Sequence, residues 1–364
     1  MAGKVILSKR NEDPFRKIQG VRVLVPVVLG LGVVGWMMCK EYNPNAFSEV
    51  VFSRWSLFFI CLAIVCMLIR DFGYMVRIRV LSDGDMSWRQ AFRIIMLWEF
   101  TSAATPSAVG GTSIAILYVN KEGFSLGRSS AIVLATSFLD ELYFIIMLPL
   151  LLLTVDLHKL FAVGNDVSSI ASNSFFFMAI IGITVKTIFA AFVGYGLFVN
   201  PRGLKWLLLQ IFRLPFIRRW RHYVNDAGTE IIYSSKAFKE KPFWFWFKAF
   251  LATFFSWTAR YWVVNALLVA FFTIRGFAEH FLIFARQLIM WIMQLVSPTP
   301  GGSGFSEYIF SKYLSDFIPA SPEYVAPIIM GLALLWRMIS YYPYLVVGAI
   351  ILPRWIRTHF GSSR

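Results

Sequence analysis

Runs of apolar residues separated by short charged segments dominate the chain. A membrane-spanning helix needs roughly 20 mainly apolar residues, and eight runs approach or exceed that length. The predicted helices cover residues 22–39, 53–70, 88–104, 129–153, 174–199, 244–272, 280–296 and 325–352. The pattern therefore predicts an all-α, polytopic membrane protein.

Two of the shorter runs lead directly into segments that are poorly suited to continue as a helix. Residues 297–307 read S-P-T-P-G-G-S-G-F-S-E, and residues 105–113 read T-P-S-A-V-G-G-T-S. Proline and glycine interrupt helices, and irregular backbone at membrane depth is tolerated only where it is buried in protein or lines a cavity. Matching interruptions in two halves of a chain are typical of a transporter's binding site.

Basic residues predict how the spans are oriented, because cytoplasmic loops carry the excess of Lys and Arg. The N-terminal segment, residues 70–93, residues 201–242 and the C-terminal tail are basic. All of these basic segments can be cytoplasmic only if the runs at 88–104 and 280–296 dip into the membrane and return to the same face. The prediction is about six crossing helices and two opposed re-entrant hairpins in an inverted repeat, with both termini cytoplasmic. A competing count, in which both short runs cross, places the basic segment 201–242 outside.

The expected organisation is a single transmembrane domain over residues 22–352. Its repeat halves are 53–199 and 244–352, joined by a cytoplasmic basic linker at 201–242. A basic cytoplasmic segment, 1–21, precedes the domain, and a cytoplasmic tail, 353–364, follows it.

Composition agrees with the membrane assignment, and the distribution of charge indicates which kinds of partner the protein has. The 364 residues are 58% hydrophobic and 15% charged, where soluble domains have about 25% charged residues. The net charge of +15 is divided among short loops, which argues against nucleic acid as a partner. Apolar and basic residues alternate in the 201–242 segment, which predicts an amphipathic helix on an anionic membrane surface. A plain basic loop is the alternative there.

The glycine-rich segments are candidate sites for a lipid phosphate. A glycine turn that opens a helix presents backbone N–H groups and the positive end of the helix dipole to an anion. Close helix packing through small residues is the alternative explanation. The candidate binding residues in the two segments are Pro106, Gly110, Gly111, Thr112, Pro298, Pro300, Gly301, Gly302, Ser303 and Gly304.

Charged residues inside apolar runs are functional candidates because they are costly in a membrane. Arg suits bidentate contact with phosphate, so the substrate-binding candidates include Arg260, Arg286 and Arg337, together with Glu307. Proton transfer or ion pairing is the expected role of Glu99, Asp140 and Glu141. Internal ion pairs that only fix the bundle remain an alternative for each of them.

Signatures of enzymes are sparse. The four histidines lie in loops, at the ends of apolar runs or near the C-terminus, so no paired histidines at membrane depth are available for a metalloenzyme. We expect no cofactor and no metal, and no G-x-x-x-x-G-K-[ST] string occurs. A membrane transferase with Glu99, Asp140 or Glu307 as base stays open.

The second glycine-rich segment, followed by W-R-M-I-S-Y-Y-P-Y-L-V-V-G at 336–348, resembles the lysylphosphatidylglycerol synthase transmembrane region family of flippase-like proteins. The earlier R-I-R-V-L at 77–81 and the first glycine segment fit the same order. The positions that carry the resemblance are Pro300, Gly301, Gly302, Gly304, Glu307 and Arg337. The first segment departs from it, because no acidic residue follows its glycines closely.

The resemblance implies a protein that moves or displays a lipid, aminoacylated or polyprenyl-linked, across a bacterial inner membrane. The soluble synthase domain of larger relatives is absent from this sequence, so we expect transport rather than catalysis. A membrane transferase and an accessory protein of lipid or glycolipid biosynthesis are the alternatives. The expected partners are a membrane lipid and either a second copy of the chain or a lipid-biosynthesis enzyme.

Overall fold

A computed structural model describes residues 50–105, 108–161, 174–214, 218, 221–274, 276–294, 299 and 302–360, with isolated positions before residue 50. The predicted span at 22–39 falls almost wholly outside these residues. Within them the chain is all-helical, without a strand, as the apolar runs predict. The helices are α1 (Arg54–Leu81), α2 (Trp88–Ala104), α3 (Ala108–Lys121), α4 (Leu126–Leu152), α5 (Leu157–Phe161), α6 (Ser174–Gly194), α7 (Pro201–Ile211), α8 (Arg221–Lys239), α9 (Phe243–Phe271), α10 (Phe277–Gln294), α11 (Phe305–Leu314), α12 (Pro322–Ser340) and α13 (Tyr342–Phe360).

Serine caps start several of these helices. Before α2, the Ser87 hydroxyl accepts from the Gln90 backbone N–H at 3.3 Å, and the Gln90 side chain accepts from the Ser87 N–H at 2.9 Å. Ser53 and Ser56 form the same reciprocal cap at the start of α1. Such caps satisfy backbone donors that the first helical turn leaves without a partner.

Four helical segments in the described part of the chain are long and apolar enough to cross a membrane. They cover Arg54–Leu81, Leu126–Leu152, Phe176–Val199 and Pro322–His359. Within Arg54–Leu81, only 28% of an apolar stretch of 18 residues is buried inside the protein. The remaining apolar surface of that helix suits contact with lipid chains.

Two predicted boundaries are wrong. The run at 53–70 continues as helix to Leu81, because Arg70 and Arg77 are buried against acidic partners instead of ending the span. The run at 325–352 is two helices, since Tyr341 leaves helical geometry with φ −131° and ψ −58°. Pro343 explains the break, because a proline there has no N–H to continue the preceding helix.

The two halves of the chain pack in the same pattern. In the first half, α2 and α3 form a helical hairpin that is followed by α4; in the second half, α10 and α11 form a hairpin that is followed by α12. Helix α1 lies along α9 in the most extensive helix contact of the described chain. The closing helix of each half, α6 or α13, packs on the hairpin of the other half.

Glycines make this exchange of closing helices possible. A Cβ added at Gly348 of α13 would overlap Phe100 of α2, and one added at Gly182 of α6 would overlap Ile292 of α10. Each hairpin is also surrounded by its own cluster of buried apolar side chains. The fold therefore places two similar hairpins on either side of the α1–α9 pair.

Candidate functional site

Four of the predicted binding residues lie outside the described part of the chain. They are Pro106, Pro298, Pro300 and Gly301. The remaining residues of both glycine-rich segments can be placed, and they differ from each other.

The second glycine-rich segment forms a turn that opens α11. Gly302 and Gly304 have φ values of +68° and +82°, a backbone conformation that residues with a side chain rarely adopt. The Gly304 N–H donates to Glu307 Oε2 at 2.6 Å, so a carboxylate occupies the N-terminus of the helix. The Ser306 side chain beside this turn is fully buried, and its hydroxyl has no hydrogen-bond partner.

Arg337 completes this arrangement from α12. Its Nε donates to Glu307 Oε1 at 2.8 Å, and both side chains are almost wholly buried. The guanidinium also lies over the rings of Tyr341 and Trp336, 4.6 and 5.2 Å from their centroids. The N-terminus of α11 therefore holds a charge pair: its backbone N–H groups and Arg337 favour an anion, and the Glu307 carboxylate of the chain itself is that anion.

The first glycine-rich segment has a different geometry from the one predicted. Gly110, Gly111 and Thr112 lie within α3, which already begins at Ala108, so they do not form a turn ahead of the helix. A Cβ added at Gly111 would overlap Ser102 of α2. Here the glycine serves close packing of the two hairpin helices, as in other membrane helix pairs.

Tyr341 connects the two hairpins. Its hydroxyl donates to the backbone oxygen of Ala103, at the end of α2, with a distance of 3.0 Å. The Ser303 side chain, in the second glycine turn, lies next to the same phenol. With Arg337 stacked on its ring, Tyr341 ties the end of α2 to the start of α11.

A second buried charge cluster lies where α1, α2 and α13 meet. Arg70 is fully buried, and its Nη1 and Nη2 lie 2.9 Å from Asp71 and 2.5 Å from Glu99. The Tyr344 hydroxyl donates to the Asp71 carboxylate at 2.9 Å, and its ring lies 4.9 Å from the Arg70 guanidinium. Sequence reasoning found Glu99 but assigned Arg70 to a cytoplasmic loop, and it did not select Tyr344.

The adjacent acidic residues Asp140 and Glu141 of α4 face different partners. Asp140 pairs with Arg77 of α1 and accepts from the Trp257 indole N–H at 2.6 Å. Glu141 lies 2.9 Å from the amino group of Lys186 in α6. Both therefore form the ion pairs that the sequence suggested as one of their two roles.

Arg286 lies midway along α10, beside the end of α11. It donates to the Tyr313 backbone oxygen at 2.6 Å, to Asp316 at 2.9 Å and to the Lys159 backbone oxygen at 2.7 Å. These contacts fasten α10 to the end of α11 and to α5. Its part in binding a substrate stays a prediction.

Arg93 and Glu122 form the corresponding arginine–acid pair of the first hairpin. Arg93 Nη2 lies 2.6 Å from Glu122 Oε2, and the Trp355 indole N–H donates to the same carboxylate at 3.1 Å. In each hairpin an arginine of the first helix thus pairs with an acid that follows the second helix. Arg93 lies in the second turn of α2, whereas Arg286 lies midway along α10.

No group of three or more acidic, histidine or cysteine side chains that would suit a metal ion occurs among the described residues. The chemistry that the described site offers is therefore ion pairing, hydrogen bonding and the binding of a charged group.

Comparison with known proteins agrees with the family that the second glycine segment resembles. The model of the family described as lysylphosphatidylglycerol synthase TM region matches residues 23–348. A protein from the archaeon Archaeoglobus fulgidus, described as a UPF0104 membrane protein, is 28% identical over 286 residues, which are 76% of this chain and 80% of that protein. No solved structure matches the chain.

Proposed function

The chain belongs to the lysylphosphatidylglycerol synthase TM region family, and from this premise we propose that it is a membrane lipid translocase. Its substrate is an anionic, aminoacylated or polyprenyl-linked lipid, and its membrane is the bacterial inner membrane, with both termini in the cytoplasm. The lipid headgroup passes between the two hairpins while the acyl or prenyl chains stay in the bilayer.

The short second helix of each hairpin supports re-entrant hairpins. At 1.5 Å per residue, α3 is about 21 Å long and α11 about 15 Å, whereas the hydrocarbon core is about 30 Å thick. The Arg93–Glu122 pair holds the end of α3 near the start of α2, and the Arg286–Asp316 pair holds the residues after α11 against the middle of α10. Each hairpin therefore enters and leaves on one side, and the repeated packing pattern of the two halves suits an inverted arrangement.

The link through Tyr341 is the observation that carries the proposal. It joins the end of α2 to the turn that opens α11, next to the buried Glu307–Arg337 pair. In a protein with opposed hairpins, these ends meet near the middle of the membrane. Buried ionisable groups at that depth are expensive, and they mark ion and substrate pathways in membrane proteins.

The composition of helix α7 supports the proposal that the 201–242 linker lies on the cytoplasmic surface of the membrane. Helix α7 exposes Trp206 and Ile211, and Arg202 and Lys205 lie on the same short helix. Such a helix is suited to lie in the interface of an anionic membrane. Lys205 donates to Thr229 of α8 at 2.6 Å, which fixes α7 to the rest of the linker.

Lipid movement in proteoliposomes tests the proposal. A fluorescent phosphatidylglycerol would be followed by chemical quenching of the outer leaflet, with and without an imposed proton gradient. The test variant carries Glu307→Gln and Arg337→Gln together, because removing both charges avoids leaving one buried ion without its partner. The matched control carries Asp83→Asn and Lys241→Gln, an ion pair between the residues that follow α1 and precede α9, away from the hairpin turns.

We expect the wild type and the control to move the lipid and the test variant to lose that movement. A folded wild-type protein that moves no phosphatidylglycerol, with or without the proton gradient, and none of an aminoacylated or a polyprenyl-linked lipid in the same assay, would contradict the proposal. If a chemically altered lipid appeared in isolated membranes instead, the transferase alternative would replace it.

A further inference from the structure

Helices α1 and α9 cross at a point that makes two arginines structural counterparts. A Cβ added at Gly73 of α1 would overlap Ser256 of α9, so the backbones are closest there. The Ser256 hydroxyl also donates to the Arg70 backbone oxygen at 3.0 Å. One helical turn after the crossing, α1 carries Arg77 and α9 carries Arg260.

Arg77 is neutralised by the chain itself. Its guanidinium forms an ion pair with Asp140 of α4, and its Nη1 donates to Thr253 at 3.3 Å. The same guanidinium lies 4.7 Å from the centroid of the Tyr74 ring. The charge of Arg77 is thus balanced by a carboxylate, although its Nε has no hydrogen-bond partner among the described residues.

Arg260 has the aromatic part of this environment but no acid of its own. It lies 4.3 Å from the centroid of the Trp291 ring and 5.5 Å from that of Trp257. No described carboxylate lies within 4.0 Å of it. Helix α12, which takes the place in the second half that α4 has in the first, carries a single acid, Glu323, in its first turn.

The acid that interacts with Arg260, Glu99, already forms an ion pair with another arginine. Glu99 interacts electrostatically with Arg260, but its carboxylate contacts Arg70 at 2.5 Å. Arg260 is therefore a half-buried cation, held against two indole rings, in the region between the first hairpin and α10. A charge in this position is costly unless a counter-ion joins it.

We propose that Arg260 binds the phosphate of a lipid headgroup, in the position that Asp140 occupies at Arg77. The guanidinium fork presents paired N–H donors that match phosphate oxygens. The faces of Trp257 and Trp291 hold the guanidinium in place, and Glu99 is the internal carboxylate that competes with the ligand. This inference rests on the proposed lipid translocation and names the residue that recognises the phosphate.

Native mass spectrometry of the full chain, released from detergent with lipid bound, tests this assignment. The probe is phosphatidylglycerol, and a neutral galactolipid with the same acyl chains is the comparison. The variants are Arg260→Gln, Arg260→Lys and Glu99→Gln. Arg128→Gln is the control, because Arg128, in the first turn of α4, pairs with the exposed Asp85.

We expect Arg260→Gln to weaken binding of phosphatidylglycerol about tenfold or more, the size of a lost charge-assisted hydrogen bond. Arg260→Lys should bind with intermediate affinity, since a lysine keeps the charge but not the fork. Glu99→Gln should bind more tightly than the wild type, because a competing carboxylate is gone. The control and the galactolipid should show no dependence on residue 260.

Equal affinity of the wild type and both Arg260 variants would overturn the assignment, as would weaker binding by Glu99→Gln. Inorganic phosphate that binds with the same dependence on Arg260, and displaces the lipid at equal concentration, would also overturn it in favour of a free anion. The result is separate from transport: a wild type that moves lipid without any need for Arg260 rejects this assignment alone. Binding that depends on Arg260, without movement, rejects the translocase alone.

Discussion

The two hairpins share an arginine–acid pair and differ at their tips. In each hairpin, an arginine of the first helix pairs with an acid that follows the second helix. At the tip of the second hairpin, glycines with positive φ form a turn, and Glu307 and Arg337 meet at the helix that follows. The glycines of the first hairpin lie inside α3 and let it approach α2 closely.

This difference teaches that one sequence motif can serve two physical purposes. In the second hairpin the glycines free backbone N–H groups for an anion. In the first they remove side chains so that two helices can touch. An arginine–acid pair holds the hairpin in both halves, while the sites that we propose for the lipid headgroup lie at one tip and near the α1–α9 crossing.

Removing the cation from the second tip should have the largest effect on stability. Arg337→Gln leaves the Glu307 carboxylate buried without its arginine, which costs about 3–5 kcal/mol. The matched change at the base of the first hairpin, Arg93→Gln, should cost about 1–2 kcal/mol. The Arg93 guanidinium is 41% exposed, and Glu122 keeps the indole N–H of Trp355.

Unfolding in mixed micelles of increasing SDS content, followed by circular dichroism, measures both free energies. Equal losses of unfolding free energy in the two variants would mean that the buried pair at the second tip stabilises the protein no more than the pair of the first hairpin. The double variant Glu307→Gln with Arg337→Gln should recover part of the loss, since no single charge is left behind.

Glycine substitutions should separate the turn from the packing contact, with smaller effects. Gly304→Ala places a side chain at φ +82° and should cost about 1–2 kcal/mol. Gly111→Ala pushes α3 away from Ser102 and should cost about 1–3 kcal/mol.

A second change distinguishes the two causes. Ser102→Gly should restore part of the stability of Gly111→Ala, because it vacates space on the facing helix. No small substitution near Gly304 should rescue Gly304→Ala, because the strain lies in the backbone of residue 304 itself. The same SDS titration applies, and lack of rescue at Gly111 would contradict the packing role.

The sequence predicts the membrane class, the helices and the special character of the second glycine segment well. These follow from apolar run length and from residues that act locally, such as glycine and proline. The break after Ser340 could also have been found, because Pro343 lies inside the run that was taken as one span. The early end assigned to α1 had a different cause: Arg70 and Arg77 look like loop residues until their acidic partners on other elements are known.

Pairing across the fold is the part that sequence spacing could not provide. Glu307 and Arg337 both stood out as buried charges, yet only the packing of α11 against α12 brings them into contact. That no described carboxylate lies within 4.0 Å of Arg260 depends on which acid faces which arginine after folding. The role of Tyr341 likewise depends on a backbone oxygen of the other half.

Opposed hairpins are the central claim, and the sidedness of their bases tests it most directly. Single cysteines would be placed by Arg89→Cys, at the start of α2, and by Ser321→Cys, after the second hairpin; both positions are exposed. The background would have Cys39, Cys61 and Cys66 replaced by alanine. Inner-membrane vesicles of known orientation would be treated with a membrane-impermeant maleimide. The account predicts that residue 89 is labelled only from the cytoplasmic face and residue 321 only from the opposite face. Labelling of both positions from the same face would contradict it.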